Sequence, residues 1–295
     1  MPSKLVAWDR LVRYVPAKGT NEVRYGEPIL ENPDADVASL ASAGKLQVRA
    51  LEGSDPLKAI PTGQLDTVKE LLGPLEPKDV PIIRCVGLNY KTHILETGRP
   101  LPESPTVFTK PAPAVAGHGE DIPIPPIAQD ECDYEGELVV LIGKSGKDIT
   151  EENALEYVAA YTAGNDVSAR DWQRQPAKAG PVPQWTFSKS FDKYAPLGPC
   201  LVASHVLGAA DDLSLKTLVN GEVRQNGNTG DLCFGVRKLI AFCSQGQTLQ
   251  KGSLIMTGTP GGVGLFMKPP QFLKHGDEVT VDISRIGRLT NRILF

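Results

Sequence analysis

The chain has 295 residues, 41% hydrophobic and 22% charged, with a formal net charge of −4. That balance suits one or two globular domains, and an acidic surplus with no basic stripe argues against a nucleic-acid surface. No apolar run approaches the roughly 20 residues of a membrane-spanning helix. The five cysteines form no CxxC pair and fit reduced packing thiols, and the opening MPSKLVAWDR has no secretory hydrophobic region, so the expected location is cytoplasmic.

In chain order, KLVAWDRLVRYV alternates as a strand does, and TGQLDTVKELLG reads as a helix stopped by Gly73-Pro74. Gly73, Pro74, Pro77 and Pro81 then cluster, which predicts a small N-terminal domain over residues 1–78 and a larger functional domain over 79–295. NYKTHILETGRPLPESP reads as a short helix inside a Pro-rich loop. In DYEGELVVLIGK, the run Leu138–Ile142 reads as a buried strand closed by Gly143. EENALEYVAAYTAG reads as a helix, with Thr150 as N-cap and Gly164 as stop. CLVASHVL, LKTLVNGEV and VTVDISRIG alternate as strands, Asn220-Gly221 marks a hairpin, and GVRKLIAFCSQ reads as a helix. The predicted class is mixed α+β, rich in strands, without βαβ alternation.

Asp133, Glu135 and Glu137 stand at alternate positions leading into the apolar run, which would put carboxylates on one strand face. Like charges repel there, and their burial is costly unless a cation neutralises them. Hard oxygens suit Mg²⁺, Mn²⁺ or Ca²⁺, and Asp166 is the best third ligand. The same alternation also suits a solvated strand face. His93 and Glu96 are three apart and would share a helical face, so the carboxylate could orient the imidazole as a general base; an ordinary surface pair has the same spacing. Lys189, between Phe187 and Phe191, could polarise an oxygen or simply snorkel. IMTGTPGGVG lacks the Lys-Ser/Thr of a phosphate loop, so it fits close approach to a small anion, with Thr257 or Thr259 offering a hydroxyl.

Taken in order, VGLNYKTHILE, DYEGELVVLIGK, AGNDVSARD, QWTFSKSFD, VNGEVRQNGNTGD, TGTPGGVG and GDEVTVDISRIGRLTN resemble the fumarylacetoacetate hydrolase family over roughly residues 80–295. The resemblance implies a mixed β-roll or sandwich with peripheral helices and a small N-terminal domain, usually as a homodimer. It implies Mg²⁺ or Mn²⁺ held by Glu135, Glu137 and Asp166, with water activated by His93 and Glu96 and Lys189 in the active site. It also implies substrate contacts from Arg170, Gln173 and Thr259. The segment RQPAKAGPVP is longer than in short members, and His118 stands where Pro is more usual.

The expected substrate is a small 2-oxo acid, able to reach such a metal through its carboxylate and ketone oxygens. The intact His–Glu pair favours hydrolysis of a C–C bond in a 2,4-dioxo acid. Oxaloacetate decarboxylation, hydration or isomerisation of a 2-oxo acid, and a metal-binding module without turnover are the alternatives.

Overall fold

The run Leu138–Ile142 is apolar on both sides because both sides are buried. In the computed structural model, which describes residues 4–19, 22–96, 98 and 100–295, Leu138, Val140 and Ile142 enter one core while Val139 and Leu141 enter another. Glu137 shares the parity of Val139, so the strand that buries these residues carries its carboxylate inward as well.

The N-terminal strands are β1 (Arg10–Pro16), β2 (Arg24–Pro28), β3 (Gln47–Glu52) and β4 (Ile60–Leu72), with helix α1 (Val37–Ser42) between β2 and β3. They pair antiparallel among themselves. Next come β5 (Ile83–Gly87), helix α2 (Lys91–Glu96), β6 (Thr106–Lys110), β7 (Val115–Gly117), β8 (Asp121–Pro123), β9 (Cys132–Asp133), β10 (Gly136–Ile142) and β11 (Val158–Asn165). The chain continues through β12 (Ser168–Ala169) and the short helices α3 (Arg170–Arg174), α4 (Pro176–Ala179) and α5 (Trp185–Lys189) to β13 (Ala195–Ala203) and helix α6 (Ser204–Leu207). It closes with β14 (Ser214–Val219), β15 (Glu222–Asn228), helix α7 (Val236–Ser244), β16 (Leu254–Met256), β17 (Glu278–Ile283) and β18 (Gly287–Leu294).

An eleven-stranded sheet runs β2-β3-β4-β1-β13-β11-β10-β16-β5-β6, with β7 beside β13; the N-terminal strands join it where β1 pairs with β13. A five-stranded sheet, β15-β14-β17-β18-β8, contributes Leu215, Val281 and Leu289 to a shared core, together with Leu239 and Ile240 of α7. The Asn220-Gly221 hairpin is present, with both residues at positive φ.

Three local expectations change. Residues 158–165 form β11, not a helix, with only a 3₁₀ turn at Ala154–Tyr157 before it. β11 is buried throughout between β10 and β13, and its Ala and Gly residues allow that approach: a Cβ at Gly164 would lie 2.6 Å from Val139 Cγ2. Residues 60–72 likewise form β4, because pairing with β3 and β1 outweighs the helical preference of VKELL. His205 sits in α6 rather than in a strand, with its imidazole 2.6 Å from Asp9 Oδ1. In total the fold is strand-rich mixed α+β, as expected.

Candidate metal centre and substrate pocket

Glu135, Glu137 and Asp166 come together, each offering an oxygen, with those oxygens within 4.8 Å of one another. Backbone bonds make the meeting obligatory. The Asp166 N–H donates to the Glu135 carbonyl at 2.8 Å, and the Glu135 N–H donates to Asn165 Oδ1 at 3.0 Å. β10 and β11 are antiparallel, with Gly136 opposite Asn165, so the start of one strand lies against the end of the other. Asp166 therefore follows a strand rather than the expected helix.

Three cations surround the carboxylates. Lys189 Nζ lies 2.8 Å from Asp166 Oδ2 and 3.1 Å from Glu135 Oε2, and donates to Ser168 Oγ at 2.7 Å. Arg170 reaches Glu135 Oε1 at 2.6 Å and Asp133 Oδ2 at 2.8 Å, while its Nη1 donates to Gln173 Oε1 at 3.0 Å. Lys110, fully buried on β6, lies 2.6 Å from Asp166 Oδ1 and also donates to the Val167 and Tyr194 carbonyls. Its approach to Oδ1 is off the hydrogen-bond axis, so the contact is an ion pair and that oxygen keeps an uncommitted lone pair.

Glu137 is the exception. Only 1% exposed, it accepts the Gly258 N–H at 2.7 Å and has no cationic partner among the described residues. Burial, followed by the charges of Asp166 and Glu135, pushes its carboxyl well above its ordinary value. Burial pushes Asp166 the same way, but Lys110 and Lys189 outweigh it and hold that group below its ordinary value. Lys189 loses charge stability through burial, yet Asp166 and Glu135 raise it above its ordinary value, so it stays an ammonium.

Three carboxylates (Asp133, Glu135 and Asp166) thus pair with three cations (Lys110, Arg170 and Lys189), which leaves Glu137 as the buried carboxyl without one. A hard divalent cation fits this oxygen set in both charge and donor type. Gly258 has φ +99°, and a Cβ there would meet Asn89 Cβ at 2.8 Å, so only glycine brings this N–H to Glu137.

Above the carboxylates is a cavity of about 200 Å³ lined by Glu135, Arg170, Gln173, Lys189, Thr259 and His93, with apolar walls that include Phe108, Trp185 and Phe266. His93 is 7% exposed on α2, its ring tilted against Phe266 with centroids 5.6 Å apart. The side chain of Glu96 lies outside the described residues. Thr257 is committed to the strand, donating to the Leu138 carbonyl at 3.0 Å. Thr259 donates to the Gly136 carbonyl at 2.9 Å and accepts from Gln225 Nε2 at 2.7 Å.

Sequence reasoning did not single out Lys110, Gln225 or the anchoring role of Asp133. Gln225, fully buried, accepts the Gly136 N–H at 2.9 Å and so ties the Glu-x-Glu segment to the Gly-rich turn. Asp133 turns away from the carboxylate cluster: it accepts the Gly264 and Leu265 N–H groups and anchors Arg170. The segment VNGEVRQ was the available signal for Gln225; a lone lysine in VFTKP offered none.

A family profile described as fumarylacetoacetate (FAA) hydrolase C-terminal matches residues 82–294. Over 299 aligned residues the chain is 38% identical to oxaloacetate tautomerase FAHD2A, mitochondrial, of Bos taurus, covering 95% of this chain and 94% of that one. The solved 2-hydroxyhepta-2,4-diene-1,7-dioate isomerase from Mycobacterium marinum aligns with a TM-score of 0.76 at 32% identity, covering 97% of this chain and 98% of its own. Fumarylpyruvate hydrolase from Pseudomonas aeruginosa, solved in complex with Mn²⁺ and pyruvate, aligns with a TM-score of 0.65 at 32% identity, covering 77% of this chain and 92% of its own. The bovine relative is named as mitochondrial, whereas the sequence carried the expectation of a cytoplasmic protein. Among the described residues no helix is long and apolar enough to cross a membrane.

Proposed function

The chain belongs to the fumarylacetoacetate hydrolase family of enzymes, and on that premise we propose that it is a divalent-metal-dependent tautomerase interconverting the enol and keto forms of a four-carbon 2-oxo dicarboxylic acid such as oxaloacetate. The observation that carries this is a small cavity with a dense charge array. Its volume of about 200 Å³ is below the roughly 300–1,000 Å³ usual for drug-sized ligands. A compact dianion suits that space better than a long or ring-bearing acyl group. The name of the bovine relative, similar over nearly the whole chain, agrees with this choice.

Glu135, Glu137 and Asp166 would hold Mg²⁺ or Mn²⁺, which when bound polarises the C2 oxygen of the acid. Lys189 and Arg170 place fixed positive charge beside the oxygen that becomes negative in the enolate. Gln173, its carbonyl oxygen taken by Arg170, keeps its amide N–H groups for the ligand. His93 gives a proton to C3 as the enol becomes the ketone and takes it back in reverse, while the proton of the C2 hydroxyl leaves to solvent.

Hydrolysis of a 2,4-dioxo acid is the second reading. It draws on the likeness to fumarylpyruvate hydrolase and on Glu96 following His93 by one helical turn. There the His–Glu pair activates water for attack on the distal carbonyl.

The test uses metal-stripped protein with Mg²⁺ or Mn²⁺ restored. The ultraviolet absorbance of enol-oxaloacetate is followed, and acetylpyruvate and fumarylpyruvate are offered in parallel. Metal-dependent loss of the enol band, abolished by His93→Asn and by Lys189→Met, is the expected result. Pyruvate and a free acid from an acylpyruvate, without catalysed ketonisation, would replace the tautomerase with the hydrolase. Pyruvate and CO₂ from oxaloacetate would replace it with a decarboxylase.

A further inference from the structure

Helix α3 carries two arginines four residues apart, and both line the cavity. Their situations differ. Arg170 is 4% exposed; Nε is hydrogen-bonded by Asp133 and Nη1 by Gln173, and Nη2 is ion-paired with Glu135. It is a fixed part of the wall. Arg174 is held through Nη2 alone, which donates to Glu131 at 3.1 and 2.9 Å. Its Nε and Nη1 have no protein hydrogen bond among the described residues, and its side chain is 48% exposed. An arginine with two uncommitted donor nitrogens is suited to a second carboxylate.

Spacing agrees with this. Residues four apart on a helix have Cβ atoms about 5–6 Å apart, comparable to the span between the two carboxylates of a four-carbon diacid. The two side chains therefore leave the helix about one substrate length apart. The nearby cation, Lys178, is already used: it lies 2.5 Å from Asp171 Oδ2, over the Trp172 ring, and does not line the cavity. The loop after α3 folds back where the Gln184 N–H donates to the Gln173 carbonyl, and it brings Pro183 into the cavity wall beside Arg174.

We propose that Arg174 is the specificity determinant for the distal carboxylate of a dicarboxylic 2-oxo acid, with Glu131 as the internal carboxylate that competes for it. This rests on the substrate class proposed above. Binding of the diacid brings its far carboxylate onto the Nη1–Nη2 edge, where it competes with Glu131 for Nη2. A monocarboxylic 2-oxo acid has nothing to offer that edge.

The experiment compares wild type, Arg174→Gln and Glu131→Gln, each loaded with Mn²⁺. It measures KM and kcat for enol-oxaloacetate, and the inhibition constant of pyruvate as the monocarboxylic competitor. Arg174→Gln is expected to raise KM for the diacid about 5- to 20-fold, with a smaller change in kcat and little change for pyruvate. Glu131→Gln is expected to act in the opposite sense, lowering KM about 2- to 3-fold by releasing the guanidinium. Equal effects on diacid and monoacid in Arg174→Gln, or no effect on either, would overturn the inference while leaving the tautomerase reading intact. Should the wild type fail to turn over oxaloacetate, the tautomerase reading falls. Calorimetric binding of oxaloacetate against pyruvate to the Mn²⁺-loaded proteins then decides: a diacid preference lost in Arg174→Gln upholds the role of Arg174, and a retained or absent preference ends it. Unchanged thermal melting of both variants excludes a folding artefact.

Discussion

β10 and β4 are both antiparallel strands of one sheet, and they treat polar groups in opposite ways. In β10 every residue from Gly136 to Ile142 is buried, and beside its start Glu135 and Asp166 are held in a lattice of ion pairs with side chains between 0% and 12% exposed. In β4 most of the thirteen residues face solvent. At the surface, ion pairs such as Lys144–Glu156 are 40% and 51% exposed and 3.5 Å apart. The same charge types therefore have different energetic meaning. At the surface, water screens a pair and its net worth is about 0–1 kcal/mol. Inside, removing one member strands the other.

The largest expected effect tests that contrast directly. Lys110→Met leaves Asp166 Oδ1 without its cation and is expected to destabilise the fold by about 3–5 kcal/mol in denaturant unfolding. Lys144→Met should change it by no more than about 1 kcal/mol. Equal midpoint shifts would show that water reaches the interior pair. Next, Leu141→Ala, at a site 1% exposed, should cost about 2–5 kcal/mol. Leu65→Ala on β4, 63% exposed, should stay within about 0.5 kcal/mol. A large loss at Leu65 would mean that β4 is covered in solution.

The smallest expected effect concerns His118, which lies outside the carboxylate cluster. Burial holds its imidazole below the ordinary value of 6.5, with Asp36 opposing weakly, and Nδ1 accepts the Thr290 N–H at 3.1 Å. Between the lowered folded value and 6.5 the unfolded chain binds a proton that the folded chain refuses. Stability from this group is thus full above pH 6.5 and falls as pH drops through that window. His118→Gln should flatten that part of the melting-temperature profile. An unchanged slope would assign it to other groups.

The carboxylates were legible in the sequence because Glu135 and Glu137 precede an apolar run whose parity points inward, a local pattern. Arg170, Gln173, Lys189 and Thr259, which the family resemblance implied as site residues, all line one cavity. β11 was misread because its Ala-rich stretch has helical preference, and its burial depends on two neighbouring strands that no local window contains. β4 was misread for the same reason in reverse, since VKELL takes its partners from β3 and β1. Lys110 was invisible because its meaning lies wholly in Asp166 and in carbonyls 57 and 84 residues away.

Gly136, the middle residue of Glu-x-Glu, is held at its N–H by Gln225 and at its carbonyl by Thr259, and a Cβ there would come within 2.1 Å of Thr217 Oγ1 on β14. The five-stranded sheet thus serves as an anvil behind the carboxylates. Rigidity on that side means their alignment is set during folding rather than rebuilt at each turnover, sparing the reaction an entropic cost. The facing wall is built from α2 and the loop after α3, which contribute His93 and Pro183, so the cavity sets a sheet-backed side against one of helix and loop.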